Sequence, residues 1–179
     1  MKRYLYIASL LLFAVMLSRE ILRKMQATFN KEDWKTRKAY LGHTSEAAFE
    51  QYCRKEGIQF EHFGQKSESS LDYKTLSIYL RTRPDYICQR GSETFFVEVK
   101  GVGRDGILKI KLESIIGAPY WATLLPLKIF VYDSARKKCS LCSFDHLKRK
   151  LTIREPERFE SDRKLYFPIA ISEFAWVTI

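Results

Sequence analysis

The sequence predicts an α/β fold, a mixed central β-sheet flanked by helices, and three observations carry that reading. Two β-favouring runs, 85–89 and 94–100, are joined by Arg90, Gly91 and Ser92 as a hairpin turn. Stretches with apolar residues at helical spacing stand before and after the hairpin. No internal repeat and no linker divides the body of the chain, and 179 residues that are 46% apolar suit one core of ordinary size. Residues 29–179 are read as the main domain and residues 1–28 as an added N-terminal hydrophobic helix.

The first element is the least typical. Tyr4 to Leu17 is an uncharged run of 14 residues with Lys2 and Arg3 before it and Arg19, Arg23 and Lys24 after it. It falls short of the roughly 20 residues that cross a bilayer, although Ile21, Leu22 and Met25 extend the apolar stripe. Four readings stay open: a buried or partner-facing helix, a membrane anchor, a signal peptide, and an upstream start preceding Met16 or Met25. Basic residues on both sides leave the orientation of an anchor undecided.

Asn30 is the expected cap of a short helix running to Tyr40, with Glu32 and Asp33 near its positive end. Gly42 is expected to interrupt it. Thr44 or Ser45 then caps a second helix through about Lys55, with Ala48, Phe49, Tyr52 and Cys53 on one face and Gly57 ending it. A strand is expected over 58–63 and an exposed loop over 64–70, while 71–80 reads equally as helix or strand. After the hairpin, 101–106 is glycine-rich, and 107–116 is read as a helix on its apolar positions 108, 112, 115 and 116. Strands at 128–132 and 138–144, a short helix at 144–151, and one or two strands within 165–179 complete the pattern.

Charge narrows the partners. Thirty-one Lys and Arg against 21 Asp and Glu leave a formal net charge of +10, which suits a polyanion, nucleic acid first and anionic lipid second. Cys53, Cys88, Cys139 and Cys142 are too few and scattered for a disulfide framework, so a reducing, cytoplasmic setting is expected, with membrane association through 4–17 as its variant. Cys139 and Cys142 form a CxxC without the further ligands zinc needs, and they read as apolar fillers in a strand. The isolated histidines offer no competing site, and no P-loop pattern is present.

The chemistry gathers in Arg83-Pro84-Asp85 and, across the hairpin, Glu98-Val99-Lys100. Glu98 and Lys100 are two apart on a strand, so their side chains share a face. Twelve residues, 86 through 97, separate Asp85 from Glu98, and a hairpin of that length can bring both carboxylates to one cation. Hard oxygen ligands of this kind suit Mg²⁺.

Over roughly residues 42 to 132 this arrangement resembles the PD-(D/E)XK nuclease superfamily, in its Pro84-Asp85 pair, its Glu98-Val99-Lys100 triplet and the spacing between them. Many members also carry a glutamate on the preceding helix with a glycine eleven residues later; Glu46 and Gly57 match, with Glu50 held in reserve. The resemblance implies a restriction-endonuclease-like core of the Holliday-junction-resolvase kind. It implies a metal-dependent nuclease, most readily a DNA endonuclease, in which Asp85, Glu98, Glu46 and the backbone of Val99 hold Mg²⁺, with Mn²⁺ able to substitute. Lys100 would orient water or stabilise charge on the phosphate.

Basic or amide residues on the helix after the lysine are a further family habit, met here by Lys109 and Lys111. Together with Arg81, Arg83 and Arg104 they are the expected nucleic-acid contacts, with DNA favoured over RNA and Tyr86 or Trp121 able to stack on bases. Such enzymes often act as symmetric homodimers. Two rival readings keep part of this picture: a nuclease-fold subunit that binds nucleic acid or a protein without cutting, and a basic protein at a membrane surface.

Overall fold

The computed structural model describes residues 34–64, 72, 75–103, 105–160 and 163–178. The expectations for 1–28, the Asn30 cap, the loop over 65–70 and Arg104 fall outside them. The chain divides into two compact units, Met1–Tyr40 and Leu41–Ile179, and the second is described below. Among the described residues no helix is long and apolar enough to cross a membrane.

Helix α1, Trp34–Glu56, is one continuous helix where two were expected. Gly42 has nothing near its Cα side, and a glycine inside a helix costs only about 1 kcal/mol, too little to break one whose inner face is buried. Ala48, Phe49 and Cys53 form that inner face. Gly57, at φ +66°, ends the helix as expected, because only glycine takes the left-handed region without strain.

The central sheet has the order β1-β2-β3-β5-β6-β9, from β1 (Gln59–His62), β2 (Tyr86–Arg90), β3 (Glu93–Gly101), β5 (Leu127–Asp133), β6 (Lys138–Ser143) and β9 (Val177–Thr178). Its pairings are antiparallel except β3 with β5, which run parallel. A parallel pair needs a crossover, supplied here by β4 (Ile107–Lys111) and α3 (Leu112–Leu124). The hairpin, the later strands and helix α4 (Phe144–Leu151) lie within a residue or two of their expected places. Of the ambiguous stretch 71–80, the described end becomes a short helix α2, Ile78–Arg81, capped by Ser77. The result is the mixed α/β sheet with flanking helices that the sequence predicts.

One segment differs. Residues 107–111 are strand, and helix begins only at Leu112. The alternation of Leu108 and Ile110 was in competition with the helical spacing of 108, 112 and 115, and tertiary pairing decides it. β4 joins β8 (Leu165–Ala170) and β7 (Glu157–Arg158) in a second, three-stranded sheet of order β4-β8-β7, through partners such as Leu108↔Ile169 and Ile110↔Phe167. Those partners lie some sixty residues downstream, beyond any local window.

Two apolar layers sandwich the central sheet. On one side α1 packs Phe49 and Cys53 against Tyr86, Cys88, Phe95, Val97, Val99 and Phe130. On the other, α3, α4 and the second sheet pack around Phe96, Leu108, Trp121, Ile129 and Leu147. Cys139 belongs to the first layer and Cys142 to the second, so the CxxC points to opposite faces and cannot share a metal.

Gly117 fixes how closely α3 lies against the segment before β2. A Cβ there would stand 1.7 Å from Thr82 Oγ1 and 2.6 Å from its Cβ, an overlap no rotamer relieves. Gly117→Ala should lower stability by about 1–3 kcal/mol in urea unfolding, as overpacking does. Adding Thr82→Gly should recover part of the loss, and no recovery would show that the contact does not set the packing.

Candidate active site

The cluster forms where β3 outlasts its neighbour. The β2–β3 ladder ends at Tyr86↔Val97, while β3 runs on to Gly101 beside β5. The peptide N–H of Val99 faces the vacated side and donates to Asp85 Oδ2 at 2.7 Å. Asp85 is held in turn from behind: its carbonyl accepts from the N–H groups of Phe63 (2.8 Å) and Gly64 (2.9 Å). Gly64 lies so close that a Cβ there would be 3.1 Å from Asp85 Cα. Pro84, fully buried, stiffens the approach.

On β3 the odd residues Phe95, Val97 and Val99 enter the α1 layer, and Phe96 enters the other. Glu98 and Lys100 share the Phe96 face, so two charges stand where an apolar run would continue the core. They form an ion pair through Lys100 Nζ and Glu98 Oε1, with side chains 25% and 19% exposed. The cleft they line is otherwise walled by Thr82, Pro84, Ser114, Ile115 and Ala118 over an apolar floor that includes Ile129 and Leu147. Charges so enclosed feel each other strongly.

Burial, and then the Asp85 charge, push the Glu98 carboxyl well above the ordinary range, with Lys100 opposing. The same two causes raise Glu46, on α1, while His62 and His43 pull it partly back. Asp85 thus lies within electrostatic reach of a carboxylate from each of two other elements. Glu50 is committed elsewhere: it accepts from the Tyr86 hydroxyl at 3.2 Å and pairs with Arg54 at 3.0 Å.

Asp85, Glu98, Val99 and Lys100 are therefore brought together, and Glu46, on α1, feels the Asp85 charge. The basic residues scatter. Arg81 lies 4.0 Å from Glu113. Arg83 is half-buried two residues before Asp85, its Nε has no hydrogen-bond partner, and no carboxylate pairs with it among the described residues. Lys109 and Lys111 lie on β4 and not on the expected helix; Lys109 pairs with Asp105 at 2.8 Å beside the Tyr166 ring, and Lys111 is exposed. Tyr86 and Trp121 are core residues, the latter donating its Nε1–H to Tyr79 O at 3.1 Å, so neither is free to stack on a base. Sequence reasoning missed Thr82, Ser114 and Gly64. Only the glycine carried a signal, sitting at a strand end.

Among the described residues no three His, Cys or carboxylate side chains converge as a ready-made metal cage. The donor set nevertheless fits a hard cation of the Mg²⁺ type, which takes only one or two protein carboxylates and keeps its waters. Two carboxyls raised by burial first and by the Asp85 charge second also favour a nearby cation, which lowers both.

No family model and no curated protein matches the sequence. Among solved structures the chain is similar to Hjc, a Holliday junction resolvase from Archaeoglobus fulgidus. The TM-score is 0.47 at 13% identity, covering 74% of this chain and 90% of that one. It is also similar to D212, a nuclease from a fusselovirus, with TM-score 0.43 at 13% identity over 80% of this chain and 87% of the other. These are likenesses of chain path, and nothing about chemistry follows from them.

The Glu46 shift has a consequence for stability. A carboxyl raised on folding contributes its full stability below the unfolded-state pKa and loses it as pH rises through the folded-state value. Glu46→Gln should therefore unfold at higher temperature than wild type near pH 8 and at the same temperature near pH 4. An equal difference at both pH values would show that the change acts through packing instead.

Proposed function

We propose that the chain is a Mg²⁺-dependent nuclease that hydrolyses phosphodiester bonds, with DNA as the preferred nucleic acid and the cytoplasm as its place of work. The observation that carries this reading is the Asp85–Glu98–Lys100 cluster at the uncovered end of β3. There Glu98 and Lys100 line the cleft, Asp85 is held beside them on the Val99 peptide, and Glu46 stands in electrostatic reach of Asp85. A cluster of like charges held against an apolar floor lowers stability, and such an arrangement is more often found where charge does chemistry.

In this reading Asp85 and Glu98 hold the metal, Glu46 completes the set directly or through water, and Val99 lends its backbone. The bound ion supplies Lewis acidity toward a phosphate oxygen and makes a water more acidic. The hydrogen bond from Val99 fixes one oxygen of Asp85 and leaves the other for a ligand. Lys100, oriented by Glu98, places a positive charge in the cleft where it orients the attacking water or meets the charge developing on the phosphate. Arg83, with no carboxylate paired to it among the described residues, is suited to a neighbouring phosphate, and Arg81 and Lys111 to the backbone further out. A homodimer with one site per strand is compatible with this arrangement.

The test is cleavage of labelled duplex, flap, four-way junction and single-stranded DNA with Mg²⁺, Mn²⁺ or EDTA. The variants are Asp85→Asn, which preserves the hydrogen bond to Val99, and Lys100→Ala. Metal-dependent cutting that each variant lowers by about 10²-fold or more, with binding retained, is the expected result. Cutting indifferent to both substitutions, or none on any substrate, would leave a basic fold whose work is binding.

A further inference from the structure

Asp85 holds its carboxylate in the plane of the central sheet, because Oδ2 accepts the peptide N–H of Val99 and strand N–H groups point along that plane. Glu98 and Lys100 project to one side of it, into the cleft with Ile110, Ile129 and Leu147. The other side faces α1, and it carries a group that the chemistry so far does not use. His62 is the last residue of β1 and lies directly opposite Tyr86, the residue after Asp85. Residues so paired project to the same side of a sheet, and the two rings meet edgewise, with centroids 5.4 Å apart and planes at 73°. Tyr86 in turn packs on Phe49 of α1 at 4.8 Å.

Three observations hold this imidazole beside the candidate metal ligands. Phe63 and Gly64, the two residues after His62, donate their N–H groups to the Asp85 carbonyl, so the chain leaving β1 wraps Asp85. The Tyr86 hydroxyl reaches Glu50 on α1 at 3.2 Å, and Glu46 stands one turn before Glu50 on the same helix face. The Glu46 carboxyl, raised by burial and by Asp85, is pulled back by His62 more than by His43. His62 is nevertheless exposed, and no hydrogen bond or ion pair engages its ring among the described residues.

Phosphodiester hydrolysis asks for a group on each side of phosphorus, since water enters from one side and the leaving oxygen departs from the other, roughly in line. Lys100 lies on one side of Asp85 and is placed for the water. His62 lies on the opposite side, and histidine is the side chain that most often delivers a proton to a departing oxygen.

We propose that His62 is a further catalytic residue of this site, the general acid that protonates the leaving oxygen of a phosphodiester held at Asp85. The inference rests on the nuclease reading above and completes its proton account. The oxygen of the attacking water bonds to phosphorus while one of its protons passes to solvent. The bond from phosphorus to the leaving oxygen breaks, its electron pair stays on that oxygen, and the imidazolium N–H proton joins it. His62 then regains a proton from solvent.

The test takes the DNA of the panel above that is cut fastest and replaces the bridging, leaving oxygen at the mapped cut with sulfur. A thiolate is far less basic than an alkoxide and departs without a proton. His62→Gln should slow cutting of the oxygen substrate by about 10²-fold or more and cut the sulfur substrate at the wild-type rate. His43→Gln, which removes the other imidazole in reach of Glu46, should cut both as wild type does. In EDTA, where nothing is cut, the oxygen substrate should shift the His62 imidazole resonances of the full chain, identified among its three histidines by their loss in His62→Gln.

Equal slowing of both substrates by His62→Gln would overturn the assignment, because a residue needed only for folding or binding gives no rescue by sulfur. So would wild-type rates on both, an equal loss in His43→Gln, or imidazole resonances that the DNA leaves unmoved. Each of these outcomes leaves the nuclease reading standing. Wild-type protein that cuts nothing in Mg²⁺ or Mn²⁺ removes that reading and this inference with it.

Discussion

The hydrogen bond from the Val99 peptide to the Asp85 carboxylate governs the geometry of this molecule's central cleft. β3 continues past the point where β2 leaves it, and a strand that does so exposes backbone donors that must find partners. Asp85 answers one of them with its side chain while its own carbonyl accepts the N–H groups of Phe63 and Gly64. The carboxylate is thus fixed by the requirement that the sheet's backbone be satisfied, and its orientation does not depend on a flexible rotamer. Glu98 and Lys100 inherit their places from the same strand, being next in register on the face that Phe96 begins.

Holding Asp85, Glu98 and Lys100 together in a partly buried place has an electrostatic cost. Glu98 and Glu46 are both raised, each first by burial and then by Asp85. The ion pair with Lys100 offsets this only in part, since Glu98 stays raised with it in place. The strain is confined to a region whose surroundings are over-determined: α1 on one face, α3 and α4 on the other, β5 alongside. α3 lies so close to Thr82, at the end of α2, that Gly117 has no room for a Cβ, and Tyr79 and Tyr120 meet at the exposed side of the same helix pair.

Pro119 lies inside α3, where it removes one backbone donor and crowds the preceding turn, yet the helix passes through it to Leu124. The inner face explains why: Gly117, Ala118 and Trp121 are buried between the central sheet and α2, and their packing outweighs a local preference for stopping. The sequence reading, built on the apolar positions 108, 112, 115 and 116, stops near Ile116, while the helix runs on to Leu124.

What the sequence by itself determined was everything set by near neighbours. The hairpin from 86 to 101 was legible because its strands pair across a two-residue turn, α4 because Phe144, Leu147 and Leu151 recur at helical spacing, and the end of α1 because Gly57 alone could take a positive φ. The Asp85, Glu98 and Lys100 cluster was legible for the same reason, since a period of two and a short hairpin suffice to bring its members together. The tertiary structure decided what depended on distant partners. β4 is a strand because β8 lies beside it, and Tyr86 and Trp121 are core while Tyr79 and Tyr120 are surface. Burial is a property of the assembled layers, and no local pattern of aromatic residues states which ring will face water.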